Sequence, residues 1–172
     1  MQEIVVQSTK YPEIVVQGSR YDYTSDIVLV VVGVLAAVSA TTTRIEIVAA
    51  MIRDAEGRVL LVRKRGAAVF QQPGGKRDPG DADDLHTLAR ELEEELGCSM
   101  RREGARLLGS FSAPAANEPG CEVVAVVYEV AADGPFEARA EIEALCWVDP
   151  AHPGDLPIAW LSREQLLPLL AR

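Results

Sequence analysis

Residues Gly74–Cys98 read GGKRDPGDADDLHTLARELEEELGC: a glycine loop, an acidic turn and one amphipathic helix. Asp83 or Asp84 can cap the helix N-terminus, where a carboxylate accepts from free backbone N–H groups, and Gly97 can end it in the left-handed conformation. At about 100° per residue, Leu85, Leu88, Ala89, Leu92 and Leu96 share one apolar face. Glu91, Glu94 and Glu95 fall on an adjoining arc of roughly 100°, because residues three and four apart are neighbours on a helix. Carboxylates crowded in this way repel one another. A hard divalent cation relieves the repulsion, since Mg²⁺ takes oxygen ligands and is commonly held by a few carboxylates together with substrate phosphates. The competing reading is an acidic solvated face, which is what most glutamate runs are.

The same residues resemble the signature of the Nudix hydrolases: Gly, five residues, Glu, seven residues, Arg-Glu, an aliphatic, any residue, Glu-Glu, any residue, Gly, an aliphatic. Here the matching positions are Gly75, Asp81, Arg90, Glu91, Leu92, Glu94, Glu95, Gly97 and Cys98. The chain departs from the pattern in three places. Asp81 stands for Glu, one extra residue falls in the Ala82–Asp84 turn before the helix, and Cys98 fills the last aliphatic position. Spacing within the helix is intact, and the likeness extends from about Thr42 to the C-terminus.

Upstream of this box, RIEIVAAMI (Arg44–Ile52) and RVLLVRKR (Arg58–Arg65) read as strands joined by a turn at Asp54–Gly57. Arg63, Lys64 and Arg65 end the second strand. Either they are solvated strand-end charges, or one or two of them, with Arg63 and Arg65 as the candidates, meet substrate phosphates. Pro73-Gly74-Gly75-Lys76 follows, where paired glycines permit close backbone approach. A Gly74 carbonyl can then reach a metal, and Lys76 can neutralise phosphate charge.

Downstream, Arg106–Ser112 and Glu122–Val130 read as further strands. The loop between them, Pro114–Gly120, is rich in turn residues. It is either a hairpin connection or a recognition loop in which Asn117 or Glu118 faces substrate. Pro114 stands near the place where ADP-ribose hydrolases carry a proline. Glu141, in the segment Ala140–Val148, resembles the late Nudix glutamate that precedes a strand bearing Trp, with Glu143 as the alternative register. Ser162-Arg163-Glu164-Gln165 has the form of a capping box opening a short helix through Leu170, with Leu166, Leu167, Leu169 and Leu170 supplying apolar surface.

Residues 1–41 have a different character. EIVVQSTKY (Glu3–Tyr11) recurs as EIVVQGSRY (Glu13–Tyr21), a β-prone repeat compatible with a hairpin or with an accidental extension. The uncharged run Ile27–Ala40 is short of the roughly 20 residues that a transmembrane helix needs. It has the length of a signal-peptide apolar region, but Asp22 and Asp26 precede it where a compact basic start belongs. A non-targeting extension is the favoured reading. The chain therefore divides into an N-terminal extension, 1–41, and a Nudix domain, 42–172.

A chain of 172 residues is one domain's length, with material for a real core. The net charge of −9 argues against coating nucleic acid, which needs a basic stripe. Cys98, Cys121 and Cys146 are widely spaced in apolar contexts, as free thiols of a reducing, cytoplasmic compartment are. With two histidines, His86 and His152, a histidine-rich metal centre is excluded.

The resemblance implies an α/β fold, a Nudix-type α/β/α sandwich with a mixed β-sheet. It implies a pyrophosphohydrolase that uses Mg²⁺ or Mn²⁺ to cleave a nucleoside diphosphate linked to another moiety, of (d)NTP or ADP-ribose type. Gly74, Glu91, Glu94 and Glu95 are the expected metal ligands. Glu91 or Glu141 takes the proton, Arg90 orients Glu91, and Lys76 assists. The expected partner is a small nucleotide-type molecule, with a homodimer left open and no membrane or nucleic acid. The alternative from another class is a Nudix-fold ligand sensor without turnover, favoured only by Asp81 and the inserted residue. Isopentenyl-type isomerisation lacks the histidines that it wants.

Overall fold

The computed structural model of this chain describes residues 3–8, 11–17, 43–116 and 118–171. Its contacts form two units, Met1–Thr41 and Thr42–Arg172. In the first, β1 (Glu3–Ser8) and β2 (Tyr11–Gln17) pair antiparallel, with Glu3 opposite Gln17 and Ser8 opposite Tyr11. The opening parts of the two repeat copies thus face each other as strands. Ile27–Ala40 lies outside the described residues, and no described helix is long and apolar enough to cross a membrane.

In the second unit, residue alternation positions everything else. β3 (Thr43–Ile52) lies between β5 (Gly74–Gly75) and β7 (Cys121–Asp133), and β6 (Ser99–Pro114) completes the order β5-β3-β7-β6. β3 and β7 run parallel while the other neighbours are antiparallel, so the sheet is mixed. β4 (Val59–Lys64) and β8 (Ile142–Val148) form a separate antiparallel pair. The turn at Asp54 is formed as expected, with the Arg58 N–H donating to Asp54 Oδ1 at 2.7 Å. The strands that it joins meet only at the bridge Arg53–Val59, because β3 already has β5 and β7 along its two edges.

Side chains alternate along a strand, so one face of β3 and β4 (Val48, Ala50, Ile52, Leu60, Val62) packs on Leu88, Leu92 and Leu96 of α1 (Asp84–Leu96). The other face (Ala49, Met51, Val59, Leu61) packs on Leu166, Leu167 and Leu170 at the C-terminus. This is an α/β/α sandwich. Each fully buried leucine stabilises the helix docking by about 2 kcal/mol, more than the helix propensity of a 13-residue segment supplies alone.

The caps of α1 fall where the residues place them. Asp83 Oδ1 accepts from the His86 N–H at 2.7 Å, and Gly97 closes the helix at φ 65°. The following segment then satisfies the last carbonyls, with the Arg139 N–H donating to Glu95 O and the Glu137 N–H to Leu96 O.

The C-terminal helix corrects the sequence expectation. Leu161–Leu166 is a π-helical segment, continued by α2 (Leu167–Leu170). Ser162 therefore lies within the helical segment and makes no cap. It is buried, and its hydroxyl donates to Gln72 Oε1 at 2.6 Å. Leu169, expected to pack, is exposed.

Candidate active site

Three pieces of backbone converge beside α1: the paired glycines of β5, the end of β4 and the residue preceding β8. The Gly74 N–H donates to Glu95 Oε2 at 3.0 Å. Gly75 carries no side chain because the Glu91 carboxylate occupies the space where a Cβ would stand. Glu95 is 1% exposed, Glu91 is partly buried, and Glu94 on the same arc faces solvent. The arc is real, but packing gives its three carboxylates three different environments.

Lys64 stands at the end of β4, where the pairing with β8 shifts register. Its Nζ donates to Glu141 Oε1 at 2.9 Å and lies 3.1 Å from Glu95 Oε1. The Arg65 N–H donates to Glu141 O at 2.8 Å and fixes that corner. Burial pushes the Glu95 carboxyl up to about 7, against the opposing pull of Lys64 and the Gly74 N–H. Burial also raises Glu91, with Arg90 opposing. The hydrogen bond from Lys64 holds Glu141 below the usual carboxylate range. Burial works against the charge on Lys64 itself, but Glu141 and Glu95 outweigh it and raise its pKa.

A second network braces the other flank of α1. Arg90 donates to Asp81 from Nε (3.3 Å) and Nη2 (3.0 Å), to Glu91 Oε1 at 3.0 Å, to Glu94 Oε2 at 3.4 Å and to the Lys76 carbonyl at 3.1 Å. Asp81 also accepts from the Asp78 N–H and the Thr87 hydroxyl. The Arg90 guanidinium holds the Asp81 carboxyl well below the usual range, and Asp81 in turn raises Arg90. The shortened residue and the inserted turn thus still supply the arginine with a carboxylate.

A cleft of about 380 Å³ runs over these groups, with Lys64, Gly74, Gly75, Lys76, Glu91 and Glu141 in its polar lining. Its apolar lining includes Ile45 and Ile47 of β3, the register partners Val123 and Ala125 of β7, and Trp160, which is 56% exposed. Gln72 also lines it, buried and with Nε2 lacking a hydrogen-bond partner.

Several expected residues lie elsewhere. Arg63 pairs with Glu143 at 3.3 Å and sits over the Phe70 ring, and the exposed Arg65 is not in the cleft lining. Asn117 lies outside the described residues. Lys64, passed over between its two arginine neighbours, takes the position in the cleft. Period two carried the signal: Leu60 and Val62 face α1, so Lys64 continues that face while Arg63 takes the other and Arg65 lies in the turn beyond β4. Gln72 and Trp160 gave no sequence signal that pointed to chemistry.

In kind, the donors suit a hard cation, Mg²⁺ or Mn²⁺. They are oxygens, and Glu95 Oε1 is buried with no hydrogen-bond partner, the Lys64 contact lacking that geometry. The three carboxylates of the arc stand apart from one another in this structure. Among the described residues no three His, Cys, Asp or Glu side chains are gathered as a ligand set. Arg90 holds Glu91 and Glu94, Lys64 holds Glu95, and the two cations draw the carboxylates toward different neighbours.

By fold, this is an α/β sandwich with a carboxylate-bearing helix against a mixed sheet and a cleft beside it. The NUDIX domain family matches residues 43–170. Among solved structures, the MutT NUDIX hydrolase of Burkholderia pseudomallei superposes with a TM-score of 0.60 at 28% identity, covering 72% of this chain and 96% of that one. The E. coli ORF135 protein gives 0.59 at 27% identity, covering 76% and 91%. A UDP-X diphosphatase gives 0.58 at 28%, covering 87% and 70%. The mouse mitochondrial coenzyme A diphosphatase NUDT8 is 48% identical over 44 residues, which are 26% of this chain and 20% of that protein. The chain belongs to the Nudix family.

Proposed function

We propose that residues 42–172 form a metal-dependent pyrophosphohydrolase that cleaves a nucleoside diphosphate linked to another moiety. The observation that carries this reading is the meeting of buried Glu95 and partly buried Glu91 with the Gly74-Gly75 backbone, beside a cleft that Glu91, Lys64, Lys76 and Glu141 line. Glu91, Glu95 and the Gly74 carbonyl would hold Mg²⁺ or Mn²⁺, with Glu94 as a solvent-side ligand. Such a cation, when bound, neutralises phosphate oxygens and makes a water more acidic.

The chain's own groups do the rest. Lys76, exposed and in the cleft lining, meets phosphate oxygens. Glu91 takes the proton from the attacking water. Arg90 and the contact with Gly75 fix its carboxylate in place, while Glu141 is committed to Lys64. Arg90, braced by Asp81, positions the Glu91 carboxylate. Trp160 and the apolar lining receive the ring end of the substrate, and about 380 Å³ accommodates a ligand of nucleotide size.

The substrate class is read as (d)NTP or ADP-ribose-like. The diphosphate linkage in the names of the similar proteins supports that chemistry without choosing among its members. A panel of nucleoside triphosphates, ADP-ribose, a UDP-linked sugar and coenzyme A, assayed with Mg²⁺ by chromatographic separation of the nucleotide products, tests the reading. Cleavage at a diphosphate bond that stops in EDTA is expected. No turnover across the panel, or turnover indifferent to EDTA, would overturn it.

A further inference from the structure

Lys64 stands at a junction of the site. Its ammonium bridges two carboxylates from distant parts of the chain, Glu95 on α1 at 3.1 Å and Glu141 before β8 at 2.9 Å. Among the described residues it is the only ion-pair partner of Glu95. That carboxylate is 1% exposed, and its second oxygen is already engaged by the Gly74 N–H. A buried carboxylate without compensating charge is strongly disfavoured, so Lys64 has a structural task. It also lines the cleft, within reach of a bound ligand.

Resting on the reading of a cation-dependent site, we propose that Lys64 is a built-in competitor for the divalent cation. Its ammonium and the metal share the Glu95 carboxylate, so Lys64 weakens metal binding to the free enzyme. Two positive groups on one buried carboxylate lie a few ångströms apart and repel, and low local dielectric strengthens that repulsion. Substrate phosphates relieve it, because they offer the displaced ammonium new anionic oxygens at the cleft wall. Metal and substrate therefore bind cooperatively, each tightening the other by the same factor. Arg63 and Arg65 cannot take this part: Arg63 is turned to Glu143 and Phe70, and Arg65 is outside the cleft lining.

The test measures Mn²⁺ binding to the substrate-free protein by calorimetry or by the spin resonance of free Mn²⁺. The expected result is that K64M binds Mn²⁺ at least tenfold more tightly than wild type, while K64R, which keeps the charge, stays near wild type. Should K64M not fold, the wild-type protein carries the test. Lysine acylation followed by mass spectrometry is run across a Mn²⁺ titration, and Lys64 modification rises as the cation displaces it. Unchanged or weaker Mn²⁺ binding by folded K64M, or Lys64 reactivity flat across the titration, overturns the proposal. These readouts do not depend on turnover. Wild-type turnover indifferent to EDTA would instead sink the metal-dependent reading itself.

Discussion

Two ion networks grip the same helix and behave oppositely. Around Arg90, the planar guanidinium spreads its donors over Asp81, Glu91, Glu94 and the Lys76 carbonyl, and Asp81 accepts two further hydrogen bonds. Around Lys64, one ammonium serves two carboxylates, and Glu95 Oε1 is left without a hydrogen bond in a buried setting. The first network holds its aspartate well below the usual range; the second lets burial push Glu95 up to about 7. Formal charges are similar in the two places. What differs is how fully the carboxylate is satisfied and how much water reaches it. A saturated fork makes a brace that resists exchange, while a point charge beside an unsatisfied buried oxygen makes a site where a second cation can enter.

The largest expected effect breaks the second network. Glu95→Gln should lower turnover by roughly two to three orders of magnitude, because several kcal/mol of charge stabilisation at phosphate is lost. The cation-free protein should keep its melting temperature or gain, since a buried charge is removed. Near-wild-type turnover at saturating Mg²⁺ would contradict the role given to Glu95.

Next comes pH. Glu95 has a folded pKa raised to about 7, so between the ordinary glutamate value and 7 the folded protein binds more protons than the unfolded chain. Its contribution is fully present below the unfolded pKa and is lost as pH rises through 7. Chelator-treated protein should therefore gain on the order of 1–3 kcal/mol from this group between pH 8 and pH 5. Urea titrations at the two pH values measure the gain, and subtracting the Glu95→Gln profile isolates it. An identical pH slope in that variant assigns the effect to other groups.

Breaking the first network should cost less. Arg90→Lys keeps the charge and loses the fork, leaving Glu91 free to turn away from Gly75. A drop of about tenfold in kcat, with an altered acidic limb in the pH–rate profile, is expected of a residue that acts by positioning another. An unchanged profile at full rate would mean that Glu91 needs no brace.

The smallest effect is the control on both networks. A chain starting at Thr42 should be folded and match the full-length kcat and KM, because every contact described at the site lies within 43–171. An insoluble product would move the domain boundary into the N-terminal segment.

Much of the frame was local and so legible in the residues. The helix Asp84–Leu96, its Asp83 and Gly97 caps, its leucine face and the alternating strands follow from periods of 3.6 and 2 and from short-range hydrogen bonding. The failure came where a distant partner overruled a local pattern: Ser162 had the form of a cap but found Gln72.

The sequence by itself determined that Glu91, Glu94 and Glu95 share an arc of one helix beside a glycine pair, because helical spacing is intrinsic to the backbone. Only the tertiary structure decided that Glu95 is buried, Glu91 lies over Gly75, Glu94 is left in water and Lys64 rather than its arginine neighbours meets them. The physical reason is that burial and ion pairing depend on what packs across the gap. Here β4, β8 and the glycine strand, far from α1 in sequence, set the dielectric and the partners of each carboxylate.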